Sequence, residues 1–488
     1  MTANSLLTEP LWDGASLGKA LPDSPHAVSV SLPRWQDVVG YEEKKPEVVA
    51  KMALGYPRFV IHPLVRELAE QIAGDAPCLP FPSARVAELA ADYVRRAGKT
   101  GAEVVAQSSV FAVVTTAAGA QALKDFWQHT GLIVSSRQAG AALNLKADCA
   151  DVAEVRVTMR AQLAGFYGCA PDDVFLMPTG MAAQFAAFRA VVQRRPGLRT
   201  VQFGFPYVDT LKIQQKFGMG AHLLHDLGQI ETDLRGLLAR EKLAAAFCEF
   251  PGNPLLGSAD VCRITPLLRE HGVPLIADDV VATPLNVDLS AHADLVATSL
   301  TKFVVGTCDA MGGALICNPR SPYHAELKAL VQAAHEELFW GDDAVLISAQ
   351  ARTFPERMQQ HNANGLFIAE KLRAHPGVER VWYPKWESAD AYEAVRRPNG
   401  GYGSLLSFTV KNAAVNSAPV FDAMAICKGP SLGTVFSLAC PFTLLAHYTE
   451  LEWAESCGVP RHLIRLSVGL EEPQELWRRL ESALQAGV

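Results

Sequence analysis

Lys302 stands in Ser299-Leu300-Thr301-Lys302-Phe303, directly behind the apolar run Ala293-Asp294-Leu295-Val296-Ala297-Thr298. Asp278 closes an earlier apolar run, Val273-Pro274-Leu275-Ile276-Ala277. A lysine amine can form a Schiff base with an aldehyde. A carboxylate at the end of a nearby strand can keep a pyridine nitrogen protonated, so that the ring acts as an electron sink. The hydroxyls of Ser299 and Thr301 can reach a phosphate. Together these groups meet the needs of pyridoxal 5′-phosphate (PLP). The bland alternative is a solvated surface lysine with hydroxyl neighbours, and the surroundings of the pair decide between the two.

Those surroundings form an ordered set. Asp278-Asp279-Val280-Val281-Ala282-Thr283-Pro284, Ala293-Asp294-Leu295 and Ser299-Leu300-Thr301-Lys302 follow Cys248-Glu249-Phe250-Pro251-Gly252-Asn253-Pro254-Leu255 and Pro178-Thr179-Gly180-Met181-Ala182-Ala183. Ser431-Leu432-Gly433 and Leu463-Ile464-Arg465-Leu466-Ser467-Val468-Gly469-Leu470-Glu471 come later. The set resembles the Cys/Met-metabolism PLP enzymes, a family of γ-synthases, γ- and β-lyases and sulfhydrylases, over residues 131 to 488. Leu21 to Ser31 and Gly55-Tyr56-Pro57-Arg58-Phe59 resemble the N-terminally extended cystathionine γ-synthases typical of fungi.

The resemblance implies a role for each residue. Lys302 holds PLP and, once released, moves protons on the substrate. Asp278 pairs with the ring nitrogen; Asp279 competes for that role, and the register of Pro284 favours Asp278. Gly180 and Met181 offer backbone N–H groups to the phosphate at a helix start, where the dipole favours an anion. Ser299 and Thr301 add hydroxyls, and Asn253 bonds the cofactor's phenolic oxygen. Arg465, an arginine inside an apolar strand, clamps the substrate carboxylate through its planar fork, and Ser431 lies in the substrate loop. Two places depart from the family pattern. Where members carry Tyr-x-Arg from a neighbouring subunit, Ser135-Ser136-Arg137 keeps only the arginine, which would bind phosphate across an interface. Where members carry a ring-stacking tyrosine, the segment is Phe205-Pro206-Tyr207, with Tyr207 favoured as stacker and Phe205 the alternative.

Such residues need rigid strand ends. Short apolar strands without polar alternation are expected at 174–177, 201–204, 244–249, 274–278 and 294–298, with helices at 152–167 and 182–193. The fold expected is α/β: a fold type I, aspartate-aminotransferase-like, mostly parallel sheet with helices on both faces, plus a smaller C-terminal α/β domain. Loops at strand carboxyl ends hold sites in such sheets, which suits Asp278 and Ser299. The divisions are an arm at 1–60, an added small α/β layer at 61–130, a large PLP-binding domain at 131–343, and a C-terminal α/β domain at 344–488. The last is predicted to open on one long helix, Ala344 to Leu372.

Composition sets the outer limits. The chain has 488 residues, 49% hydrophobic and 19% charged, a globular balance. Its net charge of −7 offers no basic field for nucleic acid or anionic lipid. No signal peptide or membrane-length apolar run is seen, and the ten scattered cysteines read as reduced thiols in a cytoplasmic enzyme. No metal site is expected. Gly429-Pro430-Ser431-Leu432-Gly433 matches the hydrolase nucleophile elbow, but no clear strand precedes it. The activity implied is γ-replacement on an O-activated homoserine, with cysteine as nucleophile giving cystathionine. Alternatives are a γ-lyase or sulfhydrylase, a γ-substitution enzyme of secondary metabolism using a carbon nucleophile, and a non-catalytic relative, against which the intact Lys302, Asp278 and Arg465 argue. Small amino acids are the expected substrates, and a homodimer or homotetramer with shared sites the expected assembly.

Overall fold

Three sheets organise the chain in this computed structural model, which describes residues 2–144, 146–149 and 151–486. The first comprises β1 (Cys78–Phe81), β2 (Ala102–Gln107) and β3 (Val110–Thr115), antiparallel in the order β1-β3-β2. The expected layer at 61–130 contains this sheet, with helices Pro63–Ala73, Ala84–Ala97 and Ala120–Thr130 around it. Pro63 opens its helix where a missing N–H costs nothing, and the Ser83 hydroxyl caps the next by accepting from Val86 N at 3.2 Å.

The second sheet comprises β4 (Val174–Met177), β5 (Arg199–Phe203), β6 (Ala221–Leu224), β7 (Leu243–Glu249), β8 (Leu275–Asp278), β9 (Leu295–Ser299) and β10 (Gly313–Cys317), in the order β4-β10-β9-β8-β7-β5-β6. The pairs from β9 to β6 are parallel; β10 runs antiparallel to both β9 and β4. Alternation along the strands feeds two cores. In β8, Leu275 and Ala277 join one, with Met159 and Ile264 of helices Val152–Tyr167 and Val261–Glu270; Ile276 joins the other, with Ala183 and Val191 of helix Gly180–Arg194. Each large apolar side chain so buried contributes about 1.5–3 kcal/mol.

The third sheet comprises β11 (Val378–Trp382), β12 (Leu405–Val410), β13 (Cys427–Lys428), β14 (Leu438–Pro441) and β15 (Ile464–Ser467), in the order β11-β12-β15-β14-β13. The single helix expected at 344–372 is two, Gly341–Ala351 and Phe354–Ala374. Pro355 lacks the N–H that would continue the first helix, and it sits in the first turn of the second. The arm at 1–60 packs on this body: Val28 N donates to Cys308 O and Leu32 N to Lys428 O, each at 2.9 Å, and Trp35 meets Phe421 edge-on at 6.1 Å. No helix among the described residues is long and apolar enough to cross a membrane.

Candidate active site

The carboxyl ends of β7, β8 and β9 deliver Glu249, Asp278 and Ser299 to one cavity of about 620 Å³. Lys302 follows Ser299 by one turn and also lines it, with Gly180 and Met181 from the start of helix Gly180–Arg194. That helix start is built for close approach. Thr179 caps it by accepting from Ala182 N at 3.0 Å, and a Cβ added to Gly180 would lie 2.6 Å from Ser299 Cβ. Only glycine lets the free N–H groups of the first turn sit beside the Ser299 hydroxyl.

Asp278 and Asp279 part company. Asp278 lines the cavity, accepting from Gln184 Nε2 and Val280 N at 2.9 Å each. Burial pushes its carboxyl up to about 6. Asp279 instead accepts from the Tyr167 hydroxyl, at 2.9 and 3.1 Å to its two oxygens, and is absent from the cavity wall.

Lys302 Nζ donates to Ser431 Oγ at 3.1 Å, and Ser431 O accepts from Arg465 Nη2 at 2.9 Å, so Ser431 stands between amine and guanidinium. Gly433 makes this contact possible with φ +70, since a Cβ there would press on Lys302. Arg465 also donates to Asn253 Oδ1 at 3.2 Å and lies over the Phe442 ring at 5.1 Å, almost fully buried. Asn253 is therefore the orienter of Arg465 in this structure, facing the same cavity.

Tyr207 lines the cavity and Phe205 does not. Phe205 packs against His447 at 5.0 Å and Trp453 at 5.2 Å. Thr301 is buried away from the cavity wall, its hydroxyl accepting from Gly312 N at 3.1 Å. Arg137 does not line the cavity of its own chain either: it donates to Asp309 O at 2.7 Å and Asp343 Oδ1 at 2.8 Å.

Three residues missed in the sequence complete the wall. The Tyr-x-Arg spacing sought at 135–137 recurs, with both residues present, at Tyr56-Pro57-Arg58, and the structure brings this one to the cavity. Lys302 Nζ lies 4.6 Å from the Tyr56 ring centre. Burial raises the Tyr56 phenol, but the Lys302 and Arg58 charges outweigh it and the net shift is downward. Arg58 donates to Asp209, to the Tyr207 hydroxyl and, at 2.7 Å, to Gln128 O. Glu249 accepts from the backbone N–H groups of Tyr207 and, at 3.2 Å, Asn253, so one carboxylate fixes two wall segments. Burial first, then Asp278, pushes it up to about 8. The Tyr-x-Arg spacing at 56–58 was a readable signal; Glu249 sits in a quoted segment with nothing local to mark its role.

An amine at the end of a lysine, a buried carboxylate at the end of the adjacent strand, free helix N–H groups beside a hydroxyl, and an aromatic wall fit PLP. The Gln184 Oε1 atom, buried without a partner, marks the polar floor near Asp278.

The comparisons agree with this fit. The chain matches the family described as Cys/Met metabolism PLP-dependent enzyme over residues 155–485, and the fungal trans-sulfuration enzyme N-terminal domain over 60–135. It is 33% identical to a cystathionine gamma-synthase of Neurospora crassa, covering 96% of this chain and 98% of that one. It is 32% identical to an L-2-amino-4-chloropent-4-enoate dechlorinase/desaturase of Streptantibioticus cattleyicolor, covering 93% and 95%. A solved cystathionine gamma synthase of Xanthomonas oryzae pv. oryzae in complex with cystathionine superposes with a TM-score of 0.59 at 25% identity, covering 68% of this chain and 87% of that one. Family, fold and cavity converge: the chain belongs to the Cys/Met-metabolism PLP-dependent enzymes, carries the N-terminal domain of the fungal trans-sulfuration type, and uses pyridoxal 5′-phosphate as its cofactor.

Proposed function

We propose that the enzyme catalyses γ-replacement on an O-activated homoserine, with cysteine as nucleophile and cystathionine as product. The observation that carries this reading is the wall around Lys302: arm residues Leu54, Tyr56 and Phe59 and added-layer residues Lys124 and Gln128 line the same cavity as Lys302 and Arg465 and narrow the access of water to it. Such a wall limits water at the activated substrate and holds a second substrate in position. The similarity to the Neurospora protein over nearly both whole chains supports it.

The cofactor supplies an electron sink for charge developing at the substrate Cα and Cβ. The residues of the chain do the rest. Arg465, set by Asn253, receives the α-carboxylate in a two-point contact. The Lys302 amine would take the Cα proton, hand it on to the cofactor side, and as a free amine again take a Cβ proton, returning both to Cβ and Cα after the nucleophile has added; Ser431, 3.1 Å away, steadies it between these positions. Asp278, held by Gln184, keeps a proton at the ring nitrogen. Gly180, Met181 and Ser299 would take the phosphate and Tyr207 would cover the ring, its hydroxyl held by Arg58. The Cγ–O bond of the ester breaks, the sulfur–Cγ bond forms, and the departing carboxylate carries away the negative charge that the cysteine thiolate brought in.

The Streptantibioticus relative favours a second reading, in which the same wall serves a specialised substrate. Incubation with O-acetylhomoserine, with and without cysteine, followed by mass analysis separates the two. Slow 2-oxobutanoate release that cysteine diverts into cystathionine is expected. Fast release that cysteine leaves untouched means a γ-lyase; refusal of cysteine with acceptance of a carbon nucleophile means the specialised reading.

A further inference from the structure

The cavity holds more ionic groups than one amino-acid substrate needs. The first substrate gives its carboxylate to Arg465, and its amine is consumed in the bond to the cofactor, so it calls for no carboxylate in the wall. Yet Glu42, the last residue of arm helix Trp35–Glu42, lines the cavity. Its position is costly twice over. A carboxylate at a helix C-terminus faces the negative end of the helix dipole. It is also half-buried, and burial pushes the carboxyl up to about 7 with only Lys44 acting against that. Among the described residues the Glu42 side chain makes no hydrogen bond and no ion pair, whereas its neighbour Glu43 pairs with Lys45 at 2.8 Å and accepts from the Tyr448 hydroxyl. The one cation acting on Glu42 is the exposed Lys44, also on the cavity wall and not in ion-pair contact with it, so a cation brought into the cavity would find this carboxylate available.

Three cations on the same wall that the proposed mechanism does not use, Lys44, Arg66 and Lys124, also make no ion pair among the described residues. Arg66 of helix Pro63–Ala73 makes a single long contact, Nη2 to Ile61 O at 3.4 Å, and Lys124 of helix Ala120–Thr130 makes no ion pair among the described residues. The arm thus contributes an acceptor for an ammonium, and the added layer contributes donors for a carboxylate. Those are the two charges of an α-amino acid.

We propose that Glu42, with Arg66 and Lys124, forms a subsite that binds the nucleophile as a zwitterionic α-amino acid, Glu42 receiving its ammonium group. This rests on the γ-replacement reading and names the chemical class of the second substrate: the nucleophile is selected by its amino-acid end as well as by its thiol.

Three thiols test the charges one at a time in the holoenzyme with O-acetylhomoserine: cysteine, 3-mercaptopropionate, which lacks the amine, and cysteamine, which lacks the carboxylate. For Glu42→Gln the KM for cysteine and for cysteamine should rise on the order of 10- to 100-fold, the loss of one charge-assisted bond. The KM for 3-mercaptopropionate, and the rate of 2-oxobutanoate release without any thiol, should stay within about twofold. Arg66→Gln combined with Lys124→Gln should show the converse, weakening cysteine and 3-mercaptopropionate and sparing cysteamine. Glu42→Asp, which keeps the charge, should recover part of the loss and guards against a folding defect. If wild-type enzyme makes cystathionine but Glu42→Gln affects all three thiols alike, or none, the subsite is wrong and the γ-replacement reading stands. If wild-type enzyme forms a thioether from no thiol, the γ-replacement reading falls and the subsite with it.

Discussion

Asp278 and Asp279 are consecutive in the chain and face opposite sides of the large sheet: Asp278 meets Gln184 in the cavity, and Asp279 meets Tyr167 behind it. Two similar carboxylates therefore answer different questions. Asp278→Asn should retain the fold and lower kcat/KM on the order of 10²–10³-fold, the usual cost of removing one group aimed at developing charge. Asp279→Asn should leave kcat/KM within a few-fold and lower stability by about 1–3 kcal/mol, because the amide keeps one acceptor oxygen for the Tyr167 hydroxyl and buries an NH₂ where the second stood. Steady-state kinetics and urea melts on the two variants check this. The reverse pattern would move the ring-nitrogen role to Asp279.

The same carboxylates make the cofactor-free chain sensitive to pH. Burial is the first cause pushing Asp278, Asp279 and Glu249 up to about 6, 7 and 8 from 3.8, 3.8 and 4.5. Between ordinary and raised values the folded chain holds protons that the unfolded chain releases. Their contribution to stability is therefore greatest below about pH 4 and falls as pH rises to about 8. Asp278 alone accounts for on the order of 3 kcal/mol of that fall. If Asp278 takes the ring-nitrogen role proposed above, bound cofactor would favour its charged form, and the holoenzyme should lose less over the same window. Urea midpoints at about pH 4 and 8.5, with and without cofactor, measure the difference. Equal losses in both forms would show that Asp278 is already ionised without the ring.

Lys428 ties the arm to the body. Its ammonium, fully buried, donates to Trp12 O at 3.2 Å and Pro33 O at 3.0 Å in the arm, and to Asp422 O at 2.9 Å in the body. Lys428→Met keeps the stem but leaves three carbonyls without their donor. Release of the arm at 1–60 by limited proteolysis, ahead of any cleavage in the three sheets, is expected. Because Glu42, Leu54 and Tyr56 line the cavity, the same variant should divert turnover toward 2-oxobutanoate as water gains access. An arm that stays protected would place its anchor elsewhere, at Val28, Leu32 or Trp35.

Much of this was legible before the structure, and the limits have physical causes. The strands ending at Glu249, Asp278 and Ser299 announced themselves as apolar runs without alternation, which only a sheet buried on both faces tolerates. The edge strand β6 and the antiparallel β10 did not, because Ala221–Leu224 is short and half-exposed and Gly313–Cys317 opens with glycine next to Gly312. In the site, Lys302, Asp278, Gly180 and Arg465 were marked by local segments. Tyr56 and Arg58 were not singled out, although their segment was, because nothing along the chain says that residue 58 returns to residue 209. Thr301 was singled out for a hydroxyl that the turn at Gly312 uses instead. Long-range pairing is what one sequence conceals.

Arg58 and Asp209 are that pairing at its most consequential. Both side chains are almost wholly buried, and the Asp209 carboxylate also receives His129 Nδ1 at 2.8 Å and Gln128 Nε2 at 3.2 Å from the added layer. Burial alone would raise the Asp209 carboxyl; Arg58 and His129 outweigh it and hold it below the ordinary value. Removing one member of a buried pair strands the other, so Asp209→Asn and Arg58→Met should each cost about 3–5 kcal/mol. The double variant should cost clearly less than the two together, since no uncompensated charge remains. Function should separate from stability. If Arg58 stands toward the phosphate, Arg58→Met weakens binding of pyridoxal phosphate and leaves binding of pyridoxal, which has no phosphate, nearly unchanged. Asp209→Asn keeps the guanidinium but loosens its fork, and should weaken pyridoxal phosphate binding by a smaller factor. Equal weakening of both ligands by Arg58→Met would confine Arg58 to holding Tyr207 against the ring.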